Sequence, residues 1–231
     1  MGCVFRRKFV GGWKNDIQSD KRYIANIAGS CNMARRIIAL LGSPLTGGNT
    51  AQLLDQAIKG AQDAGCDVEK IAVVNLDFEA CMEHMFCLEH ATCTIDDDMQ
   101  AIYQKFRDAD GFIIASPIMT MGIPGKLKSF MDRFQVFFMA KYMRKASLVP
   151  KEKQAKRKGL FISIAGMNIP NVFEGAKMTV SAFFDIIDCN YQDELLINDM
   201  DTIREMKTRP DLLKSAYDKG NALAKDLMKN T

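Results

Sequence analysis

Two short stretches of this 231-residue chain hold residue types that can do chemistry. The first is Gly42-Ser-Pro-Leu-Thr-Gly-Gly-Asn-Thr50, which crowds the Ser43, Thr46 and Thr50 hydroxyls, the Asn49 amide and several backbone N–H groups into one loop. Placed ahead of a helix, such a loop binds an anion. The N–H groups of a first helical turn lack intrahelical partners, and the helix dipole attracts negative charge. Phosphate is the candidate anion. The loop has neither the Lys-Ser/Thr ending of a nucleoside triphosphate loop nor a G-x-G-x-x-G pattern. The second stretch is Cys81, His84, Cys87 and Cys93, spaced C-x2-H-x2-C-x5-C, and both histidines of the chain fall within residues 81–93. Three thiolates and an imidazole suit tetrahedral zinc. They also suit iron in a cluster, where histidine can replace cysteine. A loop of free thiols without metal is the third reading, and the spacing leaves all three open.

The elements that position these residues follow from hydrophobic periodicity. Residues 37–41 are continuously apolar, as in a strand covered on both faces. Leu53, Leu54, Ala57, Ile58 and Ala61 recur at helical spacing, with Asn49 as a predicted N-cap, Gln52 as its capping-box partner and Gly65 in the C′ position. Further strands are predicted over 68–76, 111–116, 160–165 and 191–197. Further helices are predicted over about 98–109, from Pro124 through Leu127, Phe130, Met131 and Phe134, over 172–187 and over 210–228. Five strands alternating with helices specify a doubly wound, three-layer α/β/α sandwich around a parallel sheet of order 2-1-3-4-5. Ligands of such sheets lie beyond the carboxyl ends of the strands, and that edge carries the loops after strands one, two and three.

The 42–50 loop resembles the FMN-phosphate loop of the NADPH-dependent FMN reductase group of the flavodoxin-like superfamily. That group reads Gly-Ser-Pro-Arg, a few small residues, then Asn-Thr. The resemblance implies that Ser43, Leu45, Thr46, Asn49 and Thr50 surround the phosphate, with Leu45 where the family usually has Arg. A second block, residues 115–133, matches the family's Ser-Pro-Ile, Gly-x-Leu-Lys and Asp-Arg pattern. It implies that Pro117, Ile118, Met119, Thr120 and Gly122 border the flavin ring, with Met119 in place of a frequent Tyr. The 81–93 window is similar to that of iron–sulfur flavoproteins, with His84 where a second cysteine belongs, which implies a 4Fe-4S cluster on Cys81, His84, Cys87 and Cys93. The function implied is an FMN-dependent oxidoreductase taking electrons from NAD(P)H to a quinone, flavin or other small acceptor. The alternatives are an iron–sulfur flavoprotein in ferredoxin-linked electron transfer and a non-enzymatic FMN- or metal-binding module. No side chain is singled out as catalytic, because hydride transfer to a flavin needs no protein proton donor.

Bulk properties bound the rest. The chain is 48% hydrophobic and 26% charged with net charge +3, an ordinary globular composition. Residues 1–36 carry eight Lys or Arg against Asp16 and Asp20, so the body is mildly acidic and nucleic acid is not an expected partner. Residues 1–34 are read as a basic, poorly ordered extension and residues 35–231 as the FMN-binding domain. No window has the roughly eighteen apolar residues of a membrane span. Seven cysteines, three of them bunched, and no signal-peptide pattern point to the cytoplasm. The Phe- and Met-rich segment 130–143 is predicted to lie at a contact of a homodimer or tetramer. The basic run 141–158 is predicted to be a solvated loop, or a dock for nicotinamide phosphates or an acidic electron carrier.

Overall fold

The computed structural model describes residues 34–229. The part of the chain read as an N-terminal extension lies outside the described residues, apart from Ala34. Strands β1 (Arg36–Leu41), β2 (Asp67–Ala72), β3 (Gly111–Pro117), β4 (Arg157–Ile164) and β5 (Cys189–Ile197) form one sheet in the order β2-β1-β3-β4-β5. Every pairing is parallel. The predicted flavodoxin-like sandwich is therefore the observed architecture. Ile37 to Leu41 are fully buried because helices cover both faces of the central strands.

The connecting helices are α1 (Asn49–Asp63), α2 (Met99–Asp108), α3 (Gly125–Asp132), α4 (Gln135–Phe138), α5 (Glu174–Ile186), α6 (Met200–Ile203) and α7 (Pro210–Lys229). One core lies between the sheet and α2, α3, α4 and α5, built on Phe106, Phe112, Phe130, Phe134 and Phe183. The other lies between the sheet and α1 and α7, built on smaller residues such as Ala57, Ala61, Ala216 and Ala224. Small residues let α1 and α7 approach closely. A Cβ added at Gly220 would overlap the Ala57 carbonyl, and one at Gly60 would overlap the Tyr217 carbonyl.

Several boundaries differ from the periodicity reading. The second strand ends at Ala72 and passes into a 3₁₀ turn over Val73–Asn75, so its apolar tail is not strand. Gly48, not Asn49, caps α1, and the reason is tertiary. Gly65 does adopt the left-handed conformation expected at a helix end, with φ +95°. The short helix α6 and the turn after it, Met206–Thr208, were not predicted. A single turn of helix carries too little periodic signal to register.

The aromatic segment is more interior than its composition suggests. Phe130, Phe134, Phe137 and Met139 are buried in the chain's own core. Tyr103 packs edge-on against Phe134, its hydroxyl donating to the Arg133 carbonyl at 3.0 Å. The apolar surface assigned to a subunit contact is thus largely interior. The basic run is mixed: residues 144–156 are loop and turn with Lys145, Lys151 and Lys156 exposed, as expected of a solvated loop, while other members are tied down internally. Arg157 is buried and donates to the carbonyls of Phe106, Arg107 and Ile187, closing the ends of α2 and α5 with one guanidinium. Burial pulls its pKa down to about 10. Lys158 pairs with Asp226 at 2.9 Å, Lys153 with Asp110 at 2.8 Å, and Lys141 with Asp188 at 3.0 Å.

The helix crossing yields a stability prediction. Gly220→Ala forces the backbones of α1 and α7 apart and should lower the unfolding free energy by about 1–3 kcal/mol in chemical denaturation. Gly125→Ala has open space around its Cβ and should be neutral or slightly stabilising. Equal effects at the two positions contradict the close crossing.

Candidate functional site

The carboxyl edge of the sheet gathers the loops after β1, β3 and β4. The chain leaves β1 at Gly42, whose N–H donates to the Ala115 carbonyl at 2.8 Å. Ser43 is buried, and its hydroxyl accepts from the Leu45 N–H at 3.1 Å. That bond closes a small turn and leaves the Ser43 O–H free to donate. Pro44, Leu45, Thr46 and Gly47 are exposed, with Leu45 68% exposed. Thr50, in the first turn of α1, is 2% exposed. Its hydroxyl makes no hydrogen bond among the described residues. An unbonded hydroxyl on a nearly buried residue, a second hydroxyl with a free proton and the open N–H groups of a 15-residue helix form a donor set that fits a phosphate monoester.

As an N-cap, Asn49 is a correction, since its side chain makes no capping bond to α1. Its Nδ2 donates to the Arg204 carbonyl at 2.7 Å and its Oδ1 accepts from the Met206 N–H at 3.0 Å. Both ends of the amide are engaged, with one Nδ2 hydrogen left over. The side chain clasps the start of α1 to the turn after α6.

The loop after β3 is a tight hairpin. Ile118 N–H donates to the Ile164 carbonyl at 2.8 Å, fastening the loop to β4. Met119 and Gly122 exchange backbone hydrogen bonds of 2.9 and 3.0 Å, and Thr120 and Met121 take φ values of 50° and 61°. Two successive left-handed residues without glycine are a strained choice, and such strain concentrates at functional loops. A Cβ at Gly175 would lie 2.5 Å from the Met121 carbonyl, so the hairpin rests directly on the start of α5. Pro117 and Ile118 are half-buried, while Met119 and Met121 are 46% and 47% exposed.

Cys81, His84, Cys87 and Cys93 line a single cavity of about 270 Å³, floored by apolar groups that include Val136 and Met139. His84 sits between two left-handed residues, Glu83 and Met85, which turn it toward this cavity. His90 is not part of the lining and stacks on Phe86 with ring centroids 3.8 Å apart. Burial raises the Cys87 thiol pKa, and the neighbouring Cys93 and Cys81 add to the rise. Among the described residues, no three His, Cys, Asp or Glu side chains converge tightly enough to hold one metal ion. Tetrahedral zinc needs four donors within about 2.0–2.3 Å of one point.

Arg133 organises this region and was not singled out as a functional residue. Its side chain is 0% exposed, and its guanidinium holds both oxygens of Asp97 and the Glu79 carbonyl, the latter at 2.7 Å. Burial opposes the Asp97 charge, but hydrogen bonds from Arg133 and from the Glu79 and Met99 amides outweigh it and keep Asp97 below its usual range. Burial likewise opposes the charge on Arg133, and Asp97 more than compensates, raising its pKa. Arg133 lines the thiol cavity, and its buried Nε has no partner. Arg144 extends the scaffold by donating to the carbonyls of Cys87 and His90, the second at 3.0 Å.

A five-stranded parallel sandwich with an anion loop after β1 and a strained hairpin after β3 defines a flavodoxin-like protein. The profile of the NADPH-dependent FMN reductase family matches residues 35–171, more than half of the sequence, and the chain belongs to that family. Curated relatives include an iron-sulfur flavoprotein of Methanosarcina thermophila, 34% identical over 98 residues, which are 42% of this chain and 51% of that protein. An iron-sulfur flavoprotein of Archaeoglobus fulgidus is 27% identical over 156 residues, 68% of this chain and 66% of that protein. The chain thus spans about half to two thirds of the curated relatives it matches. Among solved structures, an NAD(P)H:quinone oxidoreductase from Methanothermobacter marburgensis superposes with TM-score 0.62 at 16% identity, covering 82% of this chain and 96% of that one. An FMN-dependent NADH-azoreductase from Bacillus anthracis, solved in complex with FMN, gives TM-score 0.62 at 14% identity over 82% of this chain and 99% of that one. At these identities the likeness is one of fold.

The Arg133–Asp97 pair carries a pH-dependent prediction. Asp97→Asn strips a buried guanidinium of its counter-charge and should cost about 3–5 kcal/mol at pH 7. A carboxylate held below its unfolded pKa contributes stability above about pH 4, and that contribution fades as pH falls through the folded value. The gap between the unmodified protein and the variant should therefore narrow below about pH 4 in urea titrations. A gap that stays constant down to about pH 2 contradicts the pairing.

Proposed function

We propose that this protein is an FMN-dependent oxidoreductase that takes electrons from NAD(P)H and delivers them to a small acceptor such as a quinone or a flavin. The observation that carries the reading is Thr50, a nearly buried residue at the head of α1 whose hydroxyl makes no hydrogen bond among the described residues, in a chain that belongs to the FMN reductase family. When bound, FMN supplies the redox chemistry, accepting a hydride or single electrons at its ring. The chain's own residues bind and orient. Ser43, Thr46 and Thr50, with the first N–H groups of α1, hold the phosphate. Residues 117–122 border the ring, with Pro117, Ile118, Met119, Thr120 and Gly122 along its edge, and the exposed Met119 and Met121 side chains give that edge an apolar rim. No side chain acts as acid or base.

The test compares FMN with riboflavin, which lacks the phosphate, in fluorescence titrations of the apoprotein. FMN should bind far more tightly. Thr50→Val removes one hydrogen bond to a charged group, worth about 1.5–3 kcal/mol, so FMN affinity should fall ten- to a hundredfold while riboflavin affinity stays the same. Equal binding of the two flavins by the unmodified protein overturns the reading.

A second reading, an iron–sulfur flavoprotein in ferredoxin-linked electron transfer, is favoured by one specific feature. Cys81, His84, Cys87 and Cys93 line one cavity, and the cationic Arg133 forms part of the same wall beside them. An imidazole in place of a thiolate makes the ligand set one unit less negative and replaces a soft sulfur donor. His84→Cys should therefore raise the iron and acid-labile sulfide retained per chain after anaerobic reconstitution, and Cys87→Ala should abolish both while FMN stays bound. If the unmodified protein takes up neither iron nor zinc and His84→Cys changes nothing, the window is a loop of free thiols.

A further inference from the structure

We propose that Arg204, on the turn after α6, supplies the cationic phosphate contact that the 42–50 loop lacks. The proposal rests on the FMN reading above and names a binding residue outside both motif blocks. The loop from Gly42 to Thr50 contains no Lys or Arg. A phosphate held only by hydroxyls and amides keeps most of its charge uncompensated, and an adjacent guanidinium is the natural complement. At the position where a cation is expected, this chain has the exposed Leu45.

Four observations place a cation beside the loop from elsewhere in the chain. The Asn49 amide spends both its ends on residues 204–206, a clasp across 155 sequence positions whose effect is to dock this turn on the head of α1. The docked turn is strained, because Arg204 takes φ 60° and ψ −57° while Glu205 N–H donates to the Ile203 carbonyl at 2.7 Å. That is a γ-turn with positive φ, a conformation rare for a residue other than glycine. The turn nonetheless carries an arginine, which is the choice that strain alone disfavours. Finally, Arg204 is exposed and forms no ion pair or side-chain hydrogen bond among the described residues. Two of the charged groups that follow it are engaged elsewhere, Glu205 with Lys207 at 2.8 Å and Arg209 with Asp211 at 2.6 Å. The structure therefore holds an uncommitted guanidinium on the residue whose carbonyl is bound by Asn49, the residue next to Thr50.

The experiment measures the ratio of FMN to riboflavin affinity in apoprotein, by flavin fluorescence, at low and high salt. Arg204→Ala should weaken FMN ten- to a hundredfold and leave riboflavin unchanged. Arg204→Lys should recover part of the loss, since a point charge replaces a bidentate fork. Arg204→Gly suits the backbone better and should raise or preserve the melting temperature, yet lose FMN as the Ala variant does. Salt should lower the affinity ratio of the unmodified protein more than that of Arg204→Ala. If the unmodified protein binds both flavins equally, the phosphate-loop reading itself fails. If it discriminates and Arg204→Ala does not alter the ratio, or weakens both flavins alike, the loop reading stands and Arg204 is a turn residue only.

Discussion

Arg133 is a full positive charge with no solvent-exposed side chain, and burying it is tolerable only because Asp97 and the Glu79 carbonyl meet it. The long connection after β2 depends on that constraint. Residues 77–98 have little regular structure, yet they are held against α3 from inside. Asp97 joins Arg133 on one side and accepts from the Met99 amide on the other, so the same carboxylate ends the loop and starts α2. Asp98 accepts from the Asp77 amide at 2.8 Å and pins the two ends of the connection together. The thiol cavity exists because this loop is fixed in place, and Arg133 forms part of its wall.

The same economy governs the side of the edge that carries the 42–50 loop. A parallel sheet ends in a row of loops with unpaired backbone groups, and polar side chains from distant elements close them. Asn49 closes the turn after α6, Ser163 Oγ donates to the Ser116 carbonyl at 2.8 Å, and Arg157 closes two helix ends at the opposite side of the sheet. Each of these groups is polar and buried or half-buried, and each would read as a ligand-binding candidate if judged by residue type alone. Separating the fasteners from the free donors is what isolates Thr50, Ser43 and Arg204.

Much of the fold was legible because it rests on local signals. The continuous apolar run at 37–41 is a central strand, Gly65 ends α1, and strand–helix alternation implies the sheet order that is observed. Composition also put the four Cys and His ligand candidates in one connection, and they do share a cavity. What was not legible is long-range. The motif pointed to Asn49, but the residues it binds lie more than 150 positions away, and nothing near it in sequence reveals that its amide is taken. The 130–143 segment looked too apolar for a single face because Tyr103, Phe106 and Phe183, which come from two other helices, surround its rings. The left-handed pair Thr120–Met121 had no glycine to announce it. Arg133 was read as part of a motif, and its depth came only from the packing around it.

The two sites stand on the same sheet edge, and the central proposal is that the edge after β1 and β3 binds a redox-active FMN. The most direct test is the visible absorption spectrum of protein purified anaerobically and reconstituted with FMN, recorded before and after addition of NADPH or NADH. The account predicts flavin bands at about one FMN per chain that bleach on addition of a nicotinamide donor. A protein that takes up no flavin, or a bound flavin that neither nicotinamide reduces, contradicts it.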